Sequence, residues 1–121
     1  MEEVTRQDKL DAIEGICLYD RKLIDAMDDL ADDLESGKET LPSKLLGTIM
    51  QGINWTVEVL NQVMDVLDEG EEKLEKKMVN DALMVFNEAF SSGDGKKIAD
   101  AIRKSLLPCL ERICEVGESI I

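Results

Sequence analysis

LLGTIMQGINWTVEVLNQVMDVL, residues 45–67, has a strong α-helical pattern. Its apolar residues recur every third or fourth position, which is the spacing of one face of an α-helix. Three valines widen that face further. Pro42 suits the first turn of such a helix, where its missing N–H costs nothing. We predict a helix over about residues 41–68, with these apolar positions on one face: Leu45, Leu46, Ile49, Ile53, Val57, Leu60, Met64 and Leu67.

A helix is also predicted over about residues 5–36, which show the same apolar period. The Thr5 hydroxyl can accept hydrogen bonds from the free N–H groups of the first turn, and Asp8 suits its positive end. Ser36 and Gly37 mark the end of the helix, because glycine tolerates the left-handed conformation found there.

Two more helices are predicted, over about residues 71–91 and 95–118. The polar stretch around Gly70 indicates a turn before the third helix, although a continuous helix through Gly70 is an alternative. Pro108 lies inside the fourth helix and is expected to kink it, because its ring removes a backbone hydrogen bond and crowds the preceding turn. No segment alternates with a period of two, so no sheet is expected.

The predicted fold class is therefore all-α, as a single domain over residues 1–121. Short connections make neighbouring helices antiparallel, which gives an up-down four-helix bundle. Two segments also resemble each other: DAMDDLADDLESG from Asp25 and DALMVFNEAFSSG from Asp81. This likeness raises the hypothesis that the bundle consists of two related helical hairpins.

The formal net charge of −13 limits the classes of partner. Nucleic acids and anionic membranes favour basic surfaces, so neither is expected as a partner. A basic or helical segment of another protein would be attracted instead. The sequence contains no apolar run of transmembrane length, and its acidic start does not resemble a signal peptide. Three cysteines, an odd number, fit a reducing cytoplasm better than a disulfide scaffold.

SSGDGKK, residues 91–97, looks at first like a phosphate-binding loop. A P-loop would need a glycine at Phe90 and a hydroxyl at Lys97, and an EF-hand would need ligands at Phe90 and Ala101. Neither requirement is met. We therefore interpret the stretch as a turn between two helices, capped by Ser92 or Asp94.

No catalytic or metal-binding motif is present. The chain has no histidine, which removes the commonest general base and the usual partner of a Ser or Cys nucleophile. Cys17, Cys109 and Cys114 fit apolar helix faces and are interpreted as buried small hydrophobic residues. We expect no cofactor and no enzymatic activity.

The acidic residues Asp25, Asp28, Asp29 and Asp32 share one face of the first helix. A basic partner or a hard cation could bind there, although a charged run is more often a solvated surface. The face is retained as a candidate partner-binding site.

Three residues of the second helix complete the candidate site. Gly47 and Gly52 interrupt an otherwise strong helix, and each costs roughly 0.5–1 kcal/mol relative to alanine in a helix interior. Close approach of another helix, from this chain or a partner, would offset that cost. Trp55 falls off the apolar stripe, where an exposed tryptophan would suit an interface. Adaptable methionines, including Met50 and Met64, fit the same use or ordinary core packing.

PSKLLGTIMQGI, residues 42–53, resembles the start of the first main helix in flagellin-type export chaperones. The likeness consists of a proline, a Leu-Leu pair, further apolar positions and a glycine. It implies a cytoplasmic helical bundle that cradles a helical segment of an exported subunit. GDGKKIADAIRKSLLP, from Gly93, is similar to the ends of small uncharacterised bacterial helical proteins, some linked to motility. Gln51 departs from the chaperone pattern, which has an acidic residue there, and an extra helix precedes Pro42.

Three functional hypotheses follow. The first is a non-enzymatic bundle that binds another protein, as a chaperone or adaptor in motility or secretion. The second is a homodimer whose glycine-bearing second helix packs against its mate. The third is a carboxylate metal site or enzyme along residues 25–35.

Overall fold

The computed structural model describes residues 5–39, 44–70 and 73–121. Every regular element among them is helical. Four rods follow one another along the chain, the last of which is interrupted by a π-helical turn. The elements are α1 (Arg6–Ser36), α2 (Lys44–Leu67), α3 (Lys76–Ser92), α4 (Gly95–Ala101), the π turn (Ile102–Leu106) and α5 (Leu107–Ile120).

The first helix begins and ends as predicted. Thr5 Oγ1 accepts a hydrogen bond from the Asp8 backbone N–H at 3.0 Å, and Asp8 Oδ2 accepts one from the Thr5 N–H at 3.0 Å. This reciprocal pair satisfies two backbone donors that the helix cannot bond itself. Gly37 closes the other end in the left-handed conformation, with φ of 81°.

The turn predicted at residues 91–97 is confirmed. Gly93 ends α3 in the left-handed conformation, with φ of 68°. Asp94 is the cap of the next helix, since its Oδ1 accepts hydrogen bonds from the backbone N–H groups of Lys96 and Lys97 at 3.0 and 3.4 Å. The glycines and aspartate therefore serve to reverse the chain.

The second helix ends before Gly70, so the alternative of one continuous helix is wrong. Gly70 lies in a bend, and residues 73–75 are not helical. The third helix accordingly starts at Lys76, later than the predicted residue 71. The predicted first turn at Pro42 lies outside the described residues.

The disturbance expected from Pro108 takes the form of the π turn. The Leu107 N–H bonds to the Ile102 carbonyl, five residues earlier, immediately before the proline. A wider turn spares Pro108 the conflict with the preceding carbonyls that an α-helix would impose.

The helices form the predicted up-down antiparallel bundle, with α1 at its centre. One side of α1 packs along α2, and the other packs along α4, the π turn and α5. Contacts between α1 and α2 show that these two helices are antiparallel. Arg6, at the start of α1, pairs with Glu69, just after the end of α2. Asp20 accepts a hydrogen bond from Thr56, near the middle of α2. The core is aliphatic as expected, and Phe86 is the only buried aromatic residue among those described.

The fourth side of the bundle is open. The third helix packs on α4, the π turn and α5. Over the described lengths of α2 and α3, however, no Cα atom of one lies within 8 Å of the other. Along the described residues, α1 therefore packs closely on α2 and on α4–α5, α3 packs closely on α4–α5, and a gap separates α2 from α3.

The two similar segments end alike. Ser36 Oγ donates to the Asp33 carbonyl, and Ser92 Oγ donates to the Ala89 carbonyl, each three residues earlier. A left-handed glycine follows each serine. The common origin of the two hairpins stays a prediction.

The cap at Asp94 provides a test of the turn. Asp94→Ala should lower the free energy of unfolding by about 1 kcal/mol, because two N–H groups at the start of α4 lose their acceptor. Urea denaturation measures the loss. Ser91→Ala, on the exposed end of α3, is the control and should change stability by less than about 0.5 kcal/mol. Equal losses in the two variants would show that Asp94 does not stabilise the helix start.

Candidate partner-binding surface

The predicted acidic face of α1 is partly occupied from within the chain. Arg103, in the π turn, forms ion pairs with Asp28 at 3.5 Å, with Asp32, and with Glu35 at 3.1 Å. Asp25 and Asp29 are exposed on the same helix. Two of the four predicted residues thus help join α1 to the π turn, which leaves a smaller free acidic surface than the sequence indicated.

Gly52 allows close approach between α1 and α2. A Cβ atom at this position would lie 2.3 Å from Tyr19 Oη and 3.1 Å from its Cζ. The tyrosine ring crosses the helix at the glycine and makes an edge-to-face contact with Trp55, with ring centroids 5.2 Å apart. Gly52 therefore serves packing within this chain.

Trp55 and Gly47 are accessible. Trp55 is 42% exposed, so its indole is shared between the Tyr19 contact and solvent. Gly47 is exposed, and a Cβ atom there would meet nothing within 4 Å. No other helix among the described residues explains Gly47.

Asp20 is a buried carboxylate that the sequence reasoning missed. Its side chain is fully buried, Oδ1 accepts a hydrogen bond from Thr56 Oγ1 at 2.8 Å, and Oδ2 has no partner. Burial raises the pKa of Asp20 to about 6, against the lowering effect of the Thr56 hydrogen bond. The signal was readable, because Asp20 falls within the apolar stripe of α1 between Cys17 and Leu23.

The three cysteines are free and buried, as predicted. Burial raises the pKa of Cys17 and Cys109 to about 11 and that of Cys114 to about 12, with the Asp20 charge adding to the effect. Each is therefore a neutral thiol at pH 7, which is a poor nucleophile and a poor metal ligand. Cys17 and Cys114 instead donate weakly to each other's carbonyl oxygen across α1 and α5.

The described part of the chain has neither a cluster of metal ligands nor a membrane-spanning helix. Among the residues described, no three Cys, Asp or Glu side chains converge on a point that could hold a metal ion. Within the same part of the chain, no helix is both long and apolar enough to cross a bilayer.

The gap between α2 and α3 forms a hollow of about 270 Å³. Val57 and Met64 line it from α2, and Lys76 and Val79 line it from α3. Residues seven positions apart lie on the same helix face, so the walls continue beyond the hollow along both helices. We call this feature the α2–α3 groove.

Each wall of the groove carries two rows of side chains. Residues within a row are seven positions apart, and the two rows together alternate spacings of three and four residues. The deep row is buried and consists of Ile53, Leu60 and Leu67 on α2 and Val79 and Phe86 on α3. The upper row has the same period but is incompletely covered: Met50, Val57, Met64 and Leu83 are half-buried, and Lys76 and Phe90 are exposed. Phe90 is 41% exposed. The upper rows of α2 and α3 together thus form a regular seam, apolar except at Lys76, that the bundle leaves partly open. We call it the apolar seam.

Asparagine borders this seam on both helices. The chain has four asparagines, Asn54 and Asn61 on α2 and Asn80 and Asn87 on α3. Each pair is spaced by seven residues, all four are exposed, and Asn61 and Asn80 line the hollow. We call these residues the amide rim. Sequence reasoning missed it, although the spacing is readable.

Little charge lies on the two helices of the groove. Together α2 and α3 carry three lysines and four acidic residues, a formal charge of −1 in a chain of −13. Charge depletion, methionine and aromatic residues distinguish the cores of protein interfaces from the remaining surface. The groove is therefore the strongest candidate binding surface of the described structure.

Replacing each of the two glycines of α2 with alanine should change the free energy of unfolding in opposite directions. Gly47→Ala should raise the free energy of unfolding by about 0.5–1 kcal/mol, because an open helical site gains propensity. Gly52→Ala should lower it, because the new Cβ atom displaces the Tyr19 ring from Trp55. Urea denaturation and tryptophan fluorescence measure both effects. Stabilisation by both substitutions would contradict the proposed role of Gly52.

The buried carboxyl should make stability depend on pH. The pKa of Asp20 is higher in the folded chain than its ordinary value of 3.8, so the folded state binds the proton more tightly. Its contribution favours folding at low pH and declines as pH rises through about 6. Asp20→Asn keeps the acceptor for Thr56 and removes the charge. Its stability relative to wild type should increase by roughly 1 kcal/mol between pH 5 and 7.5.

Chemical denaturation at both pH values measures that change. Asp29→Asn is the control, because this carboxylate is exposed. Parallel pH profiles for wild type and Asp20→Asn would show that Asp20 does not titrate in this range.

Comparison with known proteins gives one match. No curated protein and no solved structure matches the chain. The family described as Domain of unknown function (DUF8042) matches residues 11–116, which include all of the helices except the ends of α1 and α5. The chain belongs to this DUF8042 family.

Proposed function

We propose that this protein is a non-enzymatic helical bundle that binds another protein through the α2–α3 groove. The observation that carries the proposal is the partly open apolar seam, where the upper row of both helices is incompletely covered while the deep row is buried. Covering such a row would remove further apolar surface from water, at roughly 25 cal/mol per Å².

The composition around the seam supports a protein partner. Four of the six methionines lie on α2 and α3, and flexible thioethers adapt to the shape of a bound surface. Val85 and Met84 add exposed apolar area elsewhere on the surface of α3. By contrast, the surface between α3 and α4 is bordered by the charged side chains Lys97, Asp100 and Lys104.

The proposal of a non-enzymatic role is supported by the available side chains. The sequence has no histidine, and burial keeps the three thiols protonated. Asp20 has a raised pKa, but its carboxyl is enclosed between α1 and α2 and is out of reach of a substrate. Neither it nor the thiols form a nucleophile–base pair.

The resemblance of residues 42–53 to flagellin-type export chaperones supports a chaperone or adaptor role in motility or secretion. A chaperone of this kind would hold a helical segment of a subunit until export, which fits a groove between two helices. We also propose a cytoplasmic location, supported by three free, buried cysteines.

Self-association is the second candidate function. The formal charge of −1 on α2 and α3 favours it, because two copies would meet there with less repulsion than on α1. Either candidate uses the same groove, so one experiment separates them.

Site-specific photocrosslinking in the native host tests the proposal. A photoreactive residue at Asn61, exposed on the amide rim, should crosslink to one partner that mass spectrometry identifies. The same group at Leu18 is the control, because Leu18 is exposed on the outer side of α1. Crosslinks to a second copy of the chain would select the homodimer. If Asn61 gives no product beyond that of Leu18, the groove does not bind protein in the cell.

A further inference from the structure

We infer that the occupant of the α2–α3 groove is a single amphipathic helix of another protein, about two heptads long, with basic residues along its edge nearest Glu58. This inference rests on the proposed function and specifies the partner's chemistry. It follows from the shape of the groove, from a comparison of α3 with α1, and from the charges along the two edges.

The shape of the groove calls for a helix. Its two walls have side chains at the three- and four-residue spacings by which helices interlock. The described lengths of α2 and α3 stay apart, and the space between them is concave where Val57 and Met64 face Lys76 and Val79. An amphipathic helix places one apolar ridge into such a space, as in other helix-in-groove complexes.

Comparison of corresponding residues in α1 and α3 indicates that α3 lacks one helical neighbour. Met27, Leu30 and Leu34 of α1 are all buried, between α2 on one side and α4–α5 on the other. In the similar segment of α3 the corresponding residues are Leu83, Phe86 and Phe90, of which only Phe86 is buried. The third helix packs on α4–α5, as α1 does, but no described helix packs on its other side as α2 packs on α1. A helix in the groove would occupy that place.

The open rows set the length of the occupant. Met50 to Met64 on α2 and Lys76 to Phe90 on α3 each span 14 residue steps, or about 21 Å at 1.5 Å per residue. A helix of about 16 residues would cover them, with two apolar residues in each heptad facing the groove.

The edges of the groove set the charge of the occupant. Outside the amide rim, α2 carries Glu58 and Asp65, and Lys9 already pairs with Asp65 at 2.7 Å. Glu58 is exposed. On the α3 edge the equivalent positions are Lys77, Met84 and Ser91, which contain no acid. A basic side chain on the α2 edge therefore gains a local partner and is drawn by the field of the whole acidic chain.

The amide rim fits this arrangement. Asparagine both donates and accepts hydrogen bonds, so it can satisfy polar side chains of the occupant as they lose water. Carboxylates at the same positions would be costlier to desolvate. A second copy fits less well, because it presents another concave groove and brings a further charge of −13.

A displayed peptide library tests the inference. Peptides of about 16 residues would have a fixed Leu/Ile seam and edge positions drawn from Lys, Arg, Glu, Gln and Asn. Selection on the full chain should enrich Lys or Arg at one edge and deplete Glu there. Glu58→Gln should weaken that enrichment by about threefold or more, which is the size of one exposed charge pair. Glu88→Gln, on the outer side of α3, should leave it unchanged.

Groove variants locate the bound peptide. Phe90→Ser should weaken binding of the selected peptide about tenfold in fluorescence anisotropy, since it removes an apolar contact of the upper row. Val85→Ser, at a residue of similar exposure on the side of α3 that faces Lys104 and Ser105, should have little effect. Circular dichroism checks that both variants remain helical.

Three results would overturn the inference: no enriched peptide, enrichment of acidic edges, or light scattering that shows the free protein as a dimer whose groove excludes the peptide. If Asn61 still crosslinks to an identified partner in the cell, the proposed protein-binding function survives and only the helical, basic occupant is wrong. If the peptide binds in vitro but Asn61 gives no cellular product, the binding chemistry stands without the proposed function.

Discussion

Burial of α1 between α2 and the α4–α5 rod is the contact on which the bundle depends. The helix contributes residues such as Ile13, Met27 and Leu30 that are almost completely enclosed. The two outer rods each have one main neighbour: α2 rests mainly on α1, and α3 rests on the α4–α5 rod. Because the described lengths of the outer helices share no close backbone contact with each other, the close backbone contacts that join the rods run mainly through α1 and α4–α5. The groove is the geometric result of that arrangement.

Much of the helical structure could be predicted from the sequence, because apolar periodicity and end signals are local. Thr5, Gly37, Gly93 and Asp94 act within a few residues of their own positions, so their effects are readable along the chain. Periodicity also identifies which side of a helix is apolar. It does not reveal how much of that side a neighbour covers, since coverage depends on the separation between rods. The partly open row that includes Val57 and Phe90 was therefore beyond sequence reasoning.

In the candidate site, too, local features could be predicted from the sequence, whereas contacts between distant parts of the chain could not. Gly52 was correctly linked to close approach, but the approaching group, the Tyr19 ring, lies in another helix and could not be named. Asp28 and Asp32 were read as one free surface because their pairing with Arg103 spans about 70 residues. The amide rim and the buried Asp20 are different cases. Both are residue types at helical spacing, so the sequence alone can reveal them.

The π turn has a consequence for sequence change in this family. Ile98, Ile102, Leu106 and Leu110 are all buried and are spaced by four residues, whereas an ideal α-helix repeats every 3.6. Steps of four rotate the apolar face by about 40° each in a straight α-helix, which would turn the later residues away from α1. The wider turn accommodates the surplus residue and keeps both halves of the rod directed at the same neighbour. Deleting one residue between 102 and 106 would rotate everything after it relative to α1, so length in this short segment is constrained more tightly than the identity of its exposed side chains.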